Sequence, residues 1–233
     1  MLRVDTILAI ETSVPQASIA LWSDGNWLFK AAFTSDRNHN STVFNPLAEA
    51  LDYLAGKALS AIVVGTGPGS YSGIRIGIAA AQGVAIARGC ALAGLGSLAA
   101  TPVARAAAGS PKAPSAMAIG DARRGLYYVA PIMANGEAKE AELMDAQALK
   151  NHLMKRPDCA LFTLDDPSKW ELDTSLEKRI IRTHPEAPSL IEVWLGLDQA
   201  RREELLAQPL APSYLRAPFT SKAKPGHPLL RKG

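Results

Sequence analysis

The stretch richest in chemical possibility is Gly65-Thr66-Gly67-Pro68-Gly69-Ser70-Tyr71-Ser72-Gly73-Ile74-Arg75-Ile76-Gly77. It follows an apolar run, Ala61-Ile62-Val63-Val64, and leads into a segment of helical composition. Glycines at such a junction let the chain turn sharply or let another group approach the backbone. Two chemistries fit. A helix N-terminus behind a glycine-rich turn offers unpaired N–H groups and a positive dipole end, a site for phosphate. Alternatively, Gly73, Gly77 and Ala81, spaced four apart, clear one helix face so that it can lie close to a neighbour. No Gly-Lys-Ser/Thr of a Walker A loop is present, nor a dinucleotide fingerprint. The loop chemistry by itself favours packing.

Two further turns could face a phosphate or its metal. Glu11-Thr12-Ser13 closes the first apolar run and supplies a carboxylate suited to Mg²⁺. Val14-Pro15-Gln16 then brings no glycine, and proline removes a donor N–H. Asp121-Ala122-Arg123-Arg124-Gly125 is the matching turn of the second half. Asp121 reads either as a carboxylate for metal or water, or as a turn cap paired with Arg123, and the second reading is favoured. Between Gly136 and Gly196 there is no glycine, so a nucleotide held between two halves would lack a close backbone approach on one side. His39, His152, His184 and His227 are scattered without metal-ligand spacing, and Gly69-Ser70-Tyr71-Ser72-Gly73 puts its serines at the wrong offsets for a nucleophile elbow.

The elements that must position these residues follow an α/β order. Thr6–Ile10, Ala17–Trp22 and Trp27–Phe33 read as strands, with Asp24-Gly25 as a hairpin turn. Phe44, Leu47, Ala48, Leu51 and Leu54 recur at helical spacing behind Ser41 or Thr42 as cap. Strand Ala61–Val64 and helix Ile74–Arg88 complete the first half. The second half restarts the plan: strands Ala116–Ile119 and Leu126–Met133, an Asn135-Gly136 turn, a helix Ala146–Lys155 capped by Asp145, strand Cys159–Leu164, and a helix Glu192–Leu206. Residues 1–110 hold 13 charged side chains and the remainder 34, which with Pro102, Pro111 and Pro114 sets a lobe boundary near residue 108. The expected units are 1–108, 109–216 and a basic tail 217–233.

Composition excludes several classes. With 48% hydrophobic and 20% charged residues, the 233-residue chain can build a full core. It has no apolar stretch of membrane-spanning length and no signal-peptide pattern at Met1–Asp5, so a cytoplasmic protein is expected. The net charge of +3 comes from the tail: from Arg216 onward there are five basic residues and no acid, leaving 20 basic against 22 acidic elsewhere. A nucleic-acid-binding face is therefore not indicated by charge alone. Cys90 and Cys159 have no paired spacing and read as reduced thiols.

Four segments together resemble the TsaB (YeaZ) family over nearly the whole chain. They are Ile7–Ser13, Gly67–Gly77, Asp121-Ala122-Arg123-Arg124-Gly125-Leu126-Tyr127-Tyr128, and Pro212-Ser213-Tyr214-Leu215-Arg216. The resemblance implies a two-lobed fold of the actin-like, Hsp70-like, sugar-kinase-like kind with a reduced second lobe. It implies a non-catalytic subunit that binds and activates TsaD, the transferase that places a threonylcarbamoyl group on the tRNA adenosine beside the anticodon. ATP and Mg²⁺ belong to that complex, TsaE joins it, and tRNA reaches this subunit only through it. No cofactor or metal is assigned to this chain, and a monomer and a homodimer both fit the isolated protein. The catalytic relatives carry a His-x-x-x-His pair where this chain has Leu95-Gly96-Ser97-Leu98-Ala99-Ala100. The loops at Glu11, Thr12, Ser13, Gly67, Pro68, Gly69, Ser70 and Asp121 then read as degenerate phosphate-facing turns. The first-lobe helices supply the partner interface, with Phe44, Leu47, Leu51, Ile74, Gly77, Ile78, Ala81 and Val84 expected in it. On this reading a bulky side chain at Gly77 or Ala81 abolishes the complex and leaves the lobe folded. The rival class is a small ATP-dependent phosphotransferase or ATPase of the same fold, using Glu11, Thr12, Asp121 and the Gly67–Gly69 loop.

Overall fold

All six residues of β1 (Thr6–Glu11) are buried, which makes it the centre of a sheet. It pairs antiparallel with β2 (Gln16–Ser23), which pairs antiparallel with β3 (Asn26–Thr34). On its other side it runs parallel to β4 (Ala61–Gly65), and β4 runs parallel to β5 (Ala91–Leu95), giving the order β3-β2-β1-β4-β5. The computed structural model describes residues 5–34, 40–109, 114–133, 137–170 and 174–213.

Helix α1 (Phe44–Asp52) connects β3 to β4, and α2 (Tyr71–Arg88) connects β4 to β5. Both cover one face of the sheet, where Leu8, Ile10, Ile62 and Val64 meet Leu47, Ile74, Ile78 and Ala81. The expected cap at Ser41 or Thr42 is replaced by a 3-10 turn, Asn40–Val43, which leads straight into α1 without a side-chain cap. Helix α2 begins three residues before Ile74 because the Ser70 hydroxyl accepts from Gly73 N and caps it.

The second sheet copies the first. β6 (Ala116–Asp121) pairs antiparallel with β7 (Leu126–Ile132), and β7 with β8 (Glu142–Asp145). β9 (Ala160–Thr163) lies parallel to β6, and β10 (Ile180–Arg182) parallel to β9. Read from β8, the order β8-β7-β6-β9-β10 matches the first sheet strand for strand. Helix α4 (Ala146–Met154), capped by Asp145 at 2.7 Å from Ala148 N, stands where α1 stands. The counterpart of the 18-residue α2 is only α5 (Thr174–Glu177), four residues long. Among the described residues, no long crossover helix stands between β9 and β10. Between the sheets, a 3-10 turn at Ser97–Ala100 and helix α3 (Pro102–Ala107) bring Leu98 and Ala104 against Ala118, Ala130 and Phe162.

The single C-terminal helix expected at Glu192–Leu206 is two helices, α6 (Ala187–Gly196) and α7 (Gln199–Ala207). Gly196 ends the first, and Asp198 caps the second by accepting from Arg201 N at 2.8 Å. Although they follow the second sheet in the chain, α6 and α7 pack on the first. Leu190, Ile191 and Trp194 of α6 lie against Ala9, Val63 and Ala93, opposite α1 and α2. The chain therefore returns to its first lobe, and Arg201 of α7 bonds Glu137, which precedes β8, at 2.6 Å. The Asn135-Gly136 turn and the basic tail lie outside the described residues. Among the described residues no helix is long and apolar enough to cross a membrane.

Candidate functional site

At the C-terminal ends of β1 and β4, the glycine run meets Glu11-Thr12-Ser13 from its own chain. A methyl group at Gly65 would overlap the Glu11 carboxyl, one at Gly69 the Ser13 carbonyl, one at Gly73 the Thr12 carbonyl, and one at Gly77 the Thr12 hydroxyl. Hydrogen bonds lock this contact. Ser70 N donates to Ser13 O at 2.6 Å, and Thr12 Oγ1 donates to Gly73 O at 2.8 Å. Gly67 N donates to Ser97 Oγ at 3.0 Å. Gly67 itself, at φ 97°, lies under Ser213, whose N–H donates to Thr66 O at 2.7 Å. The spacing of four glycines is thus explained by a neighbouring strand end pressed into the helix face. At the loop's helix entrance the Ser13 carbonyl takes the Ser70 N–H and the Ser70 hydroxyl takes Gly73 N, which leaves neither donor for a phosphate.

Glu11 does not fit a metal either. It is fully buried, its Oε1 accepts from Ser13 N at 2.7 Å, and its Oε2 has no partner among the described residues. Burial pushes its carboxyl above the ordinary value of 4.5, with the bonds from Ser13 pulling back. The folded protein therefore holds this proton to higher pH than the unfolded chain does. The site's contribution is complete below about 4.5 and is lost as pH rises through the folded value. Glu11→Gln cannot ionise, so its stability relative to wild type should increase between pH 4 and pH 8 in denaturant titrations. A difference that does not change with pH would show that Glu11 is charged in the fold.

The second-lobe turn is held by its own side chains. Asp121 Oδ1 accepts from Arg123 N at 2.6 Å, and its Oδ2 lies 3.3 Å from Arg123 Nη1, the turn-cap reading. His184 stands 3.5 Å from Glu186. Among the described residues no three metal-ligating side chains come together. Cys90 and Cys159 are free thiols.

An apolar surface lies on α1 and α2. A groove of about 500 Å³ is lined by Phe44, Leu47, Ile76, Ala79, Ala80, Gly83 and Val84. Phe44 is 55% exposed and Ile86, further along the same stripe, 84%. The positions 76, 79, 80, 83 and 86 recur at helical spacing, and Leu51 of α1 is half-buried beside them. Ile74, Gly77, Ile78 and Ala81 point the other way, into the first sheet, and are buried there. Ile76, Ala79, Gly83 and Ile86 of this outward face are not among the interface residues expected from the sequence. The signal was available: if Gly73, Gly77 and Ala81 face a neighbour within the chain, the outward stripe must run through the residues half a turn away.

The family model described as TsaD, tRNA N6-adenosine threonylcarbamoyltransferase, matches residues 33–155. The tRNA threonylcarbamoyladenosine biosynthesis protein TsaB of Escherichia coli K12 is 34% identical over 147 residues, 59% of this chain and 62% of that protein's length. Its namesake from Haemophilus influenzae is 24% identical over 234 residues, 95% of this chain and 98% of that protein. A Pseudomonas aeruginosa structure described as similar to peptidase YEAZ covers 91% of this chain and 100% of its own at TM-score 0.66 and 24% identity. YeaZ from the same organism covers 90% of this chain and 99% of its own at TM-score 0.60 and 24% identity. With a family model matching more than half of its length and these relatives, the chain belongs to the TsaB (YeaZ) family.

Proposed function

We propose that this protein serves t6A biosynthesis as a non-catalytic subunit, docking TsaD through α1 and α2 and keeping the transferase active. The observation that carries the reading is the pairing of a self-filled phosphate loop with an outward groove built almost wholly of apolar atoms. A site that packs its own backbone into the phosphate position is suited to stability, not turnover. An apolar groove rimmed by exposed Phe44 and Ile86 is suited to a second helix pair, because apolar area is what such interfaces bury. TsaE joins through the assembled complex. In isolation, the same groove suits a second copy of the chain.

The names of the relatives support t6A biosynthesis as the process, and the transferase name of the matching family model supports kinship with the catalytic subunit. The rival ATPase reading requires Glu11 and the Gly67–Gly69 loop to meet phosphate and metal, and both are engaged with the chain's own atoms. Calorimetry with ATP·Mg²⁺ on the isolated protein separates the two. The scaffold reading expects no saturable heat, whereas a micromolar isotherm would support the enzyme.

A further inference from the structure

Arg75 stands exposed on the outward face of α2, about one turn before Ala79 of the apolar groove and about three turns before Ile86. It is the only charged side chain between Lys57 and Arg88. The ion pairs among the described residues do not include it. Its contacts are with Tyr71, one turn earlier on the same face. The guanidinium carbon lies 4.6 Å from the centre of the Tyr71 ring, and Nη1 donates to the Tyr71 hydroxyl. Tyr71 is itself exposed, so the pair stands out from the fold and the core does not require it.

A tyrosine does not neutralise an arginine. The ring covers one face of the guanidinium and leaves donors along its edge without a protein acceptor. In water those donors are satisfied. When a second helix pair covers the groove beside them, that water is lost, and a charge left unpaired there would oppose docking. The docked partner must therefore bring an acceptor of opposite charge, and the planar fork of arginine matches a carboxylate in two-point contact. The Tyr71 stack already restricts the arginine, so little side-chain freedom remains to be lost on pairing.

We propose that Arg75 determines the specificity of this face: a carboxylate of TsaD pairs with its guanidinium at the edge of the apolar groove, an inference that rests on the docking reading above. The groove supplies apolar area, which favours contact in many registers. A single ion pair beside it selects one register and rejects helix pairs that bring no acid to that point.

The test titrates TsaD with the full chain, wild type or variant, at low and high salt. Arg75→Gln should bind about 10–30-fold more weakly at low salt, and Arg75→Glu at least about 100-fold. Arg75→Lys keeps the charge and loses the fork, so it should bind about 3–10-fold more weakly and retain the wild-type salt dependence. Arg75→Gln should lose most of that dependence. The isolated variants should melt within about 2 °C of wild type, because an exposed side chain outside the core is being changed. A larger drop would make Arg75 structural and overturn the proposal. Normal capture by Arg75→Glu, with capture lost in Gly83→Glu, would overturn it and leave the docking face standing. If Arg75→Glu impairs self-association of the isolated chain and not TsaD capture, the arginine serves a contact with Glu49 or Asp52 of a second copy, and the proposal also falls. Failure of the wild-type chain to capture TsaD would instead remove the docking reading itself.

Discussion

Replacing Gly83 by glutamate should weaken capture of TsaD by at least about 100-fold while leaving the isolated protein as stable as wild type or more so. Gly83 sits in the outward stripe of α2, and a side chain added there meets nothing within 4 Å. Glycine in a helix interior costs about 1 kcal/mol relative to alanine, so the fold gains from the substitution. In the complex the same carboxylate would be stranded in an apolar contact, a loss of roughly 3–5 kcal/mol. Gly83→Ala is the control: it should raise stability by about the same 1 kcal/mol and keep the partner. If Gly83→Glu captures TsaD normally, the groove between α1 and α2 is not the docking face.

The opposite behaviour is expected at Gly77, about one and two-thirds turns earlier. Gly77→Leu should destabilise the protein by roughly 3–5 kcal/mol, from overpacking and the loss of a buried hydrogen bond. The added side chain would collide with Thr12 Oγ1, whose bond to Gly73 O ties β1 to α2. A loss of that size is a large part of a typical domain's stability, and denaturant titration reads it directly. Thr12→Ala in the same chain should restore part of the loss, since the two positions touch and do not add independently. A stable Gly77→Leu protein that merely fails to bind TsaD would reverse the assignment of the two helix faces.

The contrast between Gly77 and Gly83 shows what could be read from sequence. The small-residue character of α2 was visible, and so was its helical nature, because Ala, Ile and Gly recur there without a charge between Arg75 and Arg88. Its phase was not visible. Two apolar faces of one helix look alike until a partner is fixed, and here the partner of Gly73 and Gly77 is Thr12, 61 residues from Gly73 in sequence. The alternation in β2 and β3 and the Asp24-Gly25 turn made the first hairpin legible. β5, β8 and β10, at five, four and three residues, are too short to show a period, and only pairing with neighbours defines them. The break at Gly196-Leu197-Asp198 carried its own marker in Asp198, a helix cap obscured by the apolar run before it. The return of α6 to the first sheet is a tertiary choice: Trp194 and Leu190 are core residues wherever the sheet that needs covering lies.

The central claim is that this subunit acts by holding a catalytic partner competent, and one assay addresses it. Purified TsaD, given unmodified tRNA, the threonylcarbamoyl donor and the remaining components, is compared with and without this chain, and incorporation into tRNA is measured. Stimulation by the wild-type chain, abolished by Gly83→Glu and retained by Glu11→Gln, is the predicted result. Full transfer by TsaD alone, unaffected by adding this protein, would contradict the account.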